Sequence, residues 1–356
     1  MSLLVYGANG YTGRLIAEQA HRAGERPILA GRRAEAIVPI AERYGFEHRV
    51  FSLDSPAQIA QSLAGVTAVL LTAGPFSATS APTLEACLMA RVHYLDITGE
   101  IAVFEHCFAQ NARAVAAGVV VLPGVGFDVV PSDCLAASLA ATLPGAHSLE
   151  LAFTSSGARG PGISRGTAKT MVEGFGEGGA IRRDGRIQRV PSGWRARRIP
   201  FRHGERDAVS IPWGDVATAY HSTGIPNVIV YTVLSRWQRR ALRLSRILAP
   251  LVRVKPVRRF ITRQIERRVT GPDDEARRTV KAQLWGRVAH ADGRSVEGTL
   301  VTPEAYRLTA ETAFESARRV AAGAVAPGFS TPSLAFGARY ITEFDECDMR
   351  VESITR

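Results

Sequence analysis

The chain has 356 residues, of which 46% are hydrophobic and 22% charged, and its formal net charge is +11. This length exceeds what one hydrophobic core usually supports, so we expect two domains or one large composite domain. The N-terminus has no basic region or small-residue cleavage site and no apolar stretch reaches about 18 residues, so we expect no signal peptide, no transmembrane helix and a cytoplasmic location. The cysteines lack metal-ligand spacing, so we expect no bound metal. They are Cys87, Cys107, Cys134 and Cys347.

The first predicted strand and helix flank a glycine-rich turn. The apolar run "LLVY" is followed at once by three glycines in a GxxGxxG spacing, and a helical pattern then begins. In such a turn the first glycine permits a tight bend, the second lets a diphosphate approach the backbone, and the third lets the helix pack on the strand. The phosphates would bind N–H groups at the positive end of the helix. The predicted cofactor residues here are Gly7, Asn9, Gly10, Tyr11, Thr12 and Gly13.

The second predicted strand ends at Gly31, and Arg32 and Arg33 follow directly. A dinucleotide with a free ribose 2′-hydroxyl would require an acidic residue here, and none is present. Two guanidinium groups can instead bind a 2′-phosphate by charge-assisted hydrogen bonds, so we predict NADP(H); the alternative is that both arginines are solvated charges. After the third strand, Asp54 would contact the adenine or cap the helix that begins at Pro56.

Residues 68–76 predict a fourth buried strand and its loop. The small loop residues leave a thin backbone edge where the nicotinamide end of the cofactor would lie. We therefore expect cofactor contacts from Ala73, Gly74 and Pro75.

Acidic and hydroxyl side chains follow the next two predicted strands. Ligands of such sheets lie at the carboxyl ends of the strands, so polar residues there are candidates for moving a proton. Each candidate has a structural alternative, because a carboxylate can also anchor a loop or cap the helix that starts near Pro131. The candidates are Asp96, Glu100, Asp128 and Ser132.

Several motifs occur together in the order found in a known family. They are "GANGYTG", "AGRR", "AGPF", "YLDITGE", "GFDVVPSD", "SRGTAKTMVEG", "PWGDVATAYHSTGIPNV" and "GFSTPSLAFG". With them the chain resembles the saccharopine dehydrogenase-like oxidoreductases, in the bacterial branch that includes trans-acting enoyl reductases. The resemblance implies a Rossmann domain, a mixed α/β second domain, a C-terminal segment that returns to the first, and NADP(H). It does not imply the saccharopine reaction. The Tyr-x-x-x-Lys pair of short-chain reductases is absent.

The rest of the chain alternates strands with hairpin signals. Asp184-Gly185 and Asp292-Gly293 are each flanked by alternating runs and predict hairpins. Ser164 would cap a helix that follows it. The fold class is therefore α/β, with an N-terminal Rossmann-type parallel sheet and a second, mixed α/β domain. The predicted domains are residues 1–135, residues 136–310 and a C-terminal helical segment, 311–356, that packs back on the first domain.

Residues 234–268 predict a basic amphipathic helical insert with an apolar stripe. The stripe consists of Trp237, Ala241, Leu244, Leu248 and Leu251. Residues 236–281 hold fifteen Lys or Arg and four Asp or Glu, which accounts for the whole net charge. Such a helix packs on its own domain with a solvated basic face, or lies peripherally on the inner surface of an anionic membrane. Aromatic residues are too sparse for stacking on bases, so we expect no nucleic-acid partner.

These patterns leave three hypotheses for function. The first is an NADPH-dependent reductase that transfers hydride to a carbonyl, imine or enoyl group of a fairly apolar, lipid-like small molecule, with a homodimer as the expected assembly. The second is a membrane-surface protein that binds NADP(H) without turnover. The third is saccharopine-type amino-acid chemistry, which would require convergent cations such as Arg165, Arg195 and Arg202 to bind several carboxylates.

Overall fold

The computed structural model divides into two compact units, which we call unit 1 and unit 2. Unit 1 comprises residues 1–130 and 306–337, and unit 2 comprises residues 131–305 and 338–356. The chain therefore passes from unit 1 into unit 2 at residue 131, returns to unit 1 at residue 306, and ends in unit 2 from residue 338 onward. The residues that the structure describes are 2–156, 162–174, 176–235, 238–239 and 254–355.

Unit 1 is built on a parallel sheet with seven described strands. They are β1 (Leu3–Tyr6), β2 (Ile28–Gly31), β3 (His48–Val50), β4 (Ala68–Leu71), β5 (His93–Asp96), β6 (Val120–Leu122) and β15 (Gly328–Phe329). The strand order is β15-β6-β5-β4-β1-β2-β3, so the chain reverses direction across the sheet beside β1. This order is the doubly wound arrangement, in which ligands bind at the carboxyl ends of the strands near the reversal.

Helices cover both faces of this sheet. They are α1 (Tyr11–Arg22), α2 (Ala34–Tyr44), α3 (Pro56–Ser62), α4 (Phe76–Ala90), α5 (Ile101–Ala109), α6 (Asn111–Ala117), α12 (Ala305–Ala321) and α13 (Pro332–Phe336). Alternate residues of β1 enter different cores: Leu3 and Val5 lie in one cluster, and Leu4 and Tyr6 lie in the other. Because both faces are covered, the strands are continuous apolar runs.

Unit 2 contains a nine-stranded mixed sheet in the part that the structure describes. Its strands are β7 (Ser148–Ser156), β8 (Gly179–Arg183), β9 (Arg186–Val190), β10 (Ala196–Phe201), β11 (Gly204–Ile211), β12 (Asn227–Val233), β13 (Lys281–Ala289), β14 (Ser295–Thr302) and β16 (Asp348–Val351). The main path is β10-β11-β12-β7-β13-β14-β16, and β8 joins β12 to β9. Neighbours are antiparallel except β12 and β7, which are parallel.

The remaining helices belong mainly to unit 2. They are α7 (Val130–Thr142), α8 (Arg165–Glu173), α9 (Asp215–Thr223), α10 (Lys255–Arg268), α11 (Asp274–Thr279) and a 3-10 turn (Tyr340–Glu343). Both hairpin predictions are confirmed, with Gly185 and Gly293 at positive φ in the turns between β8 and β9 and between β13 and β14. The Ser164 cap is also confirmed, because its hydroxyl accepts a hydrogen bond from the Thr167 N–H.

Some boundaries differ from the predictions. The boundary between the units lies at residue 130, whereas the sequence predicted 135. Residues 338–356 of the C-terminal segment belong to unit 2, and their strand β16 pairs with β14. The C-terminal segment is not helical throughout, because the helix Pro332–Phe336 ends at Gly337, whose φ of +94° an α-helix does not allow. All five residues of the predicted apolar stripe, from Trp237 to Leu251, lie outside the described residues. No described helix is long and apolar enough to cross a bilayer.

Candidate functional site

The glycine turn follows β1, at the carboxyl edge of the parallel sheet. Gly7 has φ +87°, which favours glycine, and a Cβ there would lie 2.9 Å from both the Ala73 nitrogen and the Thr72 hydroxyl oxygen. A Cβ on Gly13 would lie 2.4 Å from the Gly7 carbonyl oxygen. Gly7 is therefore favoured by the tight bend and Gly13 by the close approach of helix and turn, as the spacing predicted.

The N-terminus of α1 opens directly from this turn. Gly10 is the N-cap residue, no side chain caps the helix, and its first turn carries no acidic residue. The Gly10 N–H donates to the Gly7 carbonyl at 2.8 Å and closes the turn beneath the helix end. The Tyr11 ring packs edge-on against Tyr306 with ring centroids 5.0 Å apart. An uncapped, positively polarised helix end beside bare glycine backbone is a binding site for an anion.

Two arginines follow β2 at the same edge of the sheet. Arg32 and Arg33 are both exposed. The Arg33 guanidinium lies 3.7 Å from Glu35, whereas Arg32 forms no hydrogen bond or ion pair with another described residue. A Cβ on Gly31 would lie 3.4 Å from the Asn9 side-chain oxygen, so the glycine turn and the end of β2 adjoin. Arg32 is therefore the cation available to a phosphate at this point.

An aromatic pair lies between these arginines and Asp54. The Tyr6 and Phe51 rings are 5.0 Å apart, and the Tyr6 hydroxyl donates to the Phe51 carbonyl at 2.8 Å. Burial raises the pKa of the Tyr6 hydroxyl to about 12. The charge of Arg32 lowers this pKa and that of Asp54 raises it, so both side chains lie close enough to act on the hydroxyl. Asp54 is exposed, and the cap alternative predicted for it is not observed, since Ser55 is the N-cap residue and no side chain caps α3.

The loop after β4 is held by Glu100. Its two carboxylate oxygens accept hydrogen bonds from the N–H groups of Phe76 and Ser77, at 2.9 and 2.8 Å, in the first turn of α4. The peptide bond between Gly74 and Pro75 is cis. The Thr79 hydroxyl donates to the Ala73 carbonyl at 2.7 Å. Glu100 thus fixes the position of the loop formed by Ala73, Gly74 and Pro75.

Asp96 is fully buried at the end of β5. One oxygen accepts from the N–H groups of Thr98 and Gly124, both at 2.9 Å, and the other accepts from the Tyr94 hydroxyl at 2.6 Å. Burial raises its pKa to about 6, and these hydrogen bonds oppose that rise. Asp96 ties the β5 and β6 loops together, which is the anchoring role that the sequence left open for it.

Asp128 lies in the turn after β6 and is half-buried. Its carboxylate forms no hydrogen bond with any residue that the structure describes. A Cβ on Gly99 would lie 3.2 Å from one of its oxygens, so the carboxylate lies against the bare backbone of the β5 loop. Burial raises its pKa to about 7. Of the four predicted proton carriers, Asp128 has the environment of a group that exchanges a proton near neutral pH.

This geometry fits a dinucleotide phosphate group, because the glycine turn and the uncapped α1 leave room and donors for a diphosphate. Residues 3–122 match the model of the saccharopine dehydrogenase NADP binding domain. Residues 3–122 are thus similar to the NADP binding domain of saccharopine dehydrogenases. The match to an NADP binding domain confirms NADP, the cofactor that the arginines after β2 predicted.

Curated relatives match this chain over only part of their own length. A Mycobacterium tuberculosis protein named as a trans-acting enoyl reductase is 32% identical over 183 residues, which cover 48% of this chain and 43% of the relative. The Bos taurus saccharopine dehydrogenase-like oxidoreductase is 26% identical over 197 residues, which cover 49% and 46%. The match thus spans less than half the length of either relative.

Solved structures show the same fold over almost the whole chain. Saccharopine dehydrogenase (L-Glu forming) from Saccharomyces cerevisiae superimposes with a TM-score of 0.65 at 11% identity and covers 99% of this chain and 100% of its own. Homospermidine synthase from Legionella pneumophila, solved in complex with NAD, gives 0.63 at 10% identity and covers 99% and 91%. The predicted fold class is therefore confirmed.

Unit 1 brings together all the predicted site residues except Ser132, which is buried on α7 and assigned to unit 2. Three neighbours of the site were not predicted from the sequence. Tyr6 ends β1 and Phe51 directly follows β3, so aromatic residues at strand ends could have indicated them. Tyr306 lies almost three hundred residues from Tyr11, and no local pattern connects the two.

Proposed function

We propose that this chain is an NADPH-dependent reductase that transfers hydride to a carbonyl, imine or enoyl group of a fairly apolar substrate. The observation that carries the proposal is the placement of Asp128, a carboxyl group that titrates near pH 7, at the same sheet edge as the NADP turn. The names of the curated relatives support a reductase as the class of enzyme.

The residues of unit 1 would divide the work of binding. Gly7, Gly10 and Gly13 keep side chains away from the diphosphate, while N–H groups at the start of α1 donate to it. Arg32 would bind the 2′-phosphate, and Arg33 would add a second cation when it leaves Glu35. When bound, the reduced nicotinamide supplies the hydride.

Asp128 would supply the proton that accompanies the hydride. A carboxyl group with a pKa near 7 is about half protonated at neutral pH, so it can donate to an oxygen or nitrogen that gains negative charge. The absence of a hydrogen-bond partner among the described residues leaves its proton available to a ligand. Asp96 and Glu100 would act as positioning residues, because backbone N–H groups occupy their oxygens.

The saccharopine-type alternative requires three cations directed at one amino-acid substrate. Arg165 instead donates to the Val269 carbonyl at 2.7 Å, Arg195 packs over the Trp194 ring, and Arg202 pairs with Asp348. Each guanidinium is engaged with a different segment, which favours an acceptor with few carboxylates.

The test is NADPH oxidation measured at 340 nm with a panel of medium-chain enones, aldehydes and cyclic imines, and in parallel with lysine plus 2-oxoglutarate. We expect turnover with at least one apolar acceptor and none with the amino-acid pair. Asp128→Asn should lower kcat at least a hundredfold, within the usual range for losing a general acid. The matched control Asp345→Asn removes an exposed carboxylate of unit 2 and should leave kcat unchanged. An Asp128→Asn enzyme with full kcat would eliminate the proton role, and NADPH binding without turnover on any acceptor would refute the reductase.

A further inference from the structure

Helix α10 presents apolar and cationic side chains together on its outer surface. Val257 and Phe260 are 37% and 62% exposed, and Val254, just before the helix, is 47% exposed. Arg263 and Arg267 are exposed as well. Residues 257, 260, 263 and 267 recur at three- and four-residue spacings, so their side chains lie on one side of the helix. We call this surface the α10 face and define it by these four residues together with Val254 and Arg268.

The inner side of α10 is already occupied by packing. Ile261 and Ile265 are half-buried, and α10 packs against α8. The Arg165 Nε donates to the Val269 carbonyl at 2.7 Å, and Gly162 lies against Pro272. These two contacts hold the start of α8 against the end of α10. The α10 face is thus what remains of the helix after its own unit has covered the other side.

The neighbouring segment adds two more exposed apolar side chains. Ile163, just before α8, is 40% exposed, and Met171 on α8 is 62% exposed. Single exposed apolar residues are common on proteins, but five of them on two paired segments are not. The five are Ile163, Met171, Val254, Val257 and Phe260.

The cations of the α10 face are free to bind an external anion. Arg263, Arg267 and Arg268 form no hydrogen bond or ion pair with another described residue. By contrast, Arg239, which precedes α10 in the same basic segment, lies 3.9 Å from Asp207. In the sequence, residues 236–281 carry fifteen basic and four acidic residues.

We propose that the α10 face docks this protein on an anionic phospholipid bilayer, with Val257 and Phe260 entering the headgroup region and the three arginines binding lipid phosphates. Apolar residues flanked by guanidinium groups match the chemistry of that interface, where arginine stems lie along the apolar layer and their charged ends reach the phosphates. The exposed Phe260 ring favours a bilayer over a purely polyanionic partner, because a polyanion offers no apolar layer for the ring to enter. The inference is independent of the reductase proposal.

Co-sedimentation of the whole chain with vesicles tests this. We expect binding to vesicles of equal parts phosphatidylglycerol and phosphatidylcholine at 50 mM salt, and none to phosphatidylcholine alone. The variant Arg263→Gln/Arg267→Gln/Arg268→Gln should bind about 100-fold more weakly, since each basic residue near an anionic surface contributes about fivefold. Phe260→Asp should also abolish sedimentation.

Matched variants control for net charge and for folding. Arg26→Gln/Arg186→Gln/Arg206→Gln removes three exposed arginines elsewhere, and Met89→Asp replaces an exposed apolar residue of unit 1. Both should sediment like the wild type, and circular dichroism should show all four variants folded. Failure of the wild type to bind anionic vesicles overturns the proposal. So does equal loss in test and control triples, or arginine-dependent binding to a DNA oligonucleotide without vesicle binding.

Discussion

Replacing Gly13 with alanine tests the close packing at the cofactor turn. The added methyl would lie 2.4 Å from the Gly7 carbonyl oxygen and 2.7 Å from the Ala8 Cα, both of them backbone atoms. Relief requires α1 to move by about 0.6 Å relative to the turn, to reach the shortest contacts that real Cβ atoms make. Overpacking of this kind costs ~1–3 kcal/mol, and alanine recovers about 1 kcal/mol of helix propensity. We expect a net loss of about 1–2 kcal/mol in the free energy of unfolding.

Urea denaturation and NADPH titration by tryptophan fluorescence would measure the two consequences. Gly13→Ala should lower both stability and NADPH affinity. Gly10→Ala is the matched control: its φ of −69° suits alanine, and its Cβ would meet only the Gly7 oxygen, at 3.1 Å. Its stability should remain within about 0.5 kcal/mol of wild type, while NADPH affinity falls at least tenfold, because the methyl stands where the diphosphate approaches. A Gly13→Ala protein as stable as Gly10→Ala would refute the packing argument.

Four further outcomes follow from the same structure. Arg32→Ala should weaken NADPH binding by about tenfold or more and leave NADH binding unchanged in calorimetry, since the lost charge-assisted bonds are worth ~1.5–3 kcal/mol. Reductive kcat/KM should be constant below pH 7 and fall above it, because only protonated Asp128 donates a proton. Because the pKa of Asp128 is raised in the folded state, the wild type should also lose stability as the pH rises from about 4 to 7. In Asp128→Asn both of these pH dependences should be absent. Asp96→Ala should cost about 4 kcal/mol in urea unfolding by leaving two buried N–H groups unsatisfied, whereas Asp96→Asn, which keeps an acceptor, should cost about 1 kcal/mol. Ser164→Ala should cost about 1 kcal/mol through the lost helix cap, and an unchanged midpoint would show that α8 does not depend on it.

The sequence predicted the parts of unit 1 that depend on local patterns. Apolar runs, the glycine spacing and the residues after β2 are short-range signals, and the parallel sheet and NADP followed from them. The roles of Asp96 and Glu100 could not be separated from that of Asp128 in this way. All three follow strand ends, and only the structure shows which oxygens are occupied by N–H groups of distant loops.

Contacts between segments that are distant in the chain are the other feature that the sequence did not predict. The short strand β15 joins β6 through two residue pairs, which no alternation pattern can indicate. The edge-on contact of Tyr306 with Tyr11 likewise depends on α12 entering the first core from the far end of the chain. Helix and strand periodicities identify elements, but they do not identify which distant element completes a sheet.

The two separate stretches of unit 1 bear on how the protein is made. Ala313, Phe314, Ala317 and Val320 of α12 fill the same cluster as Leu3 and Val5. A nascent chain therefore cannot complete its nucleotide-binding half until residue 337 has left the ribosome, by which time nearly all of unit 2 has been synthesised. A fragment that ends at residue 130 would expose the part of this cluster that α12 covers, so the nucleotide-binding unit cannot be separated as an independently folding domain by cutting there.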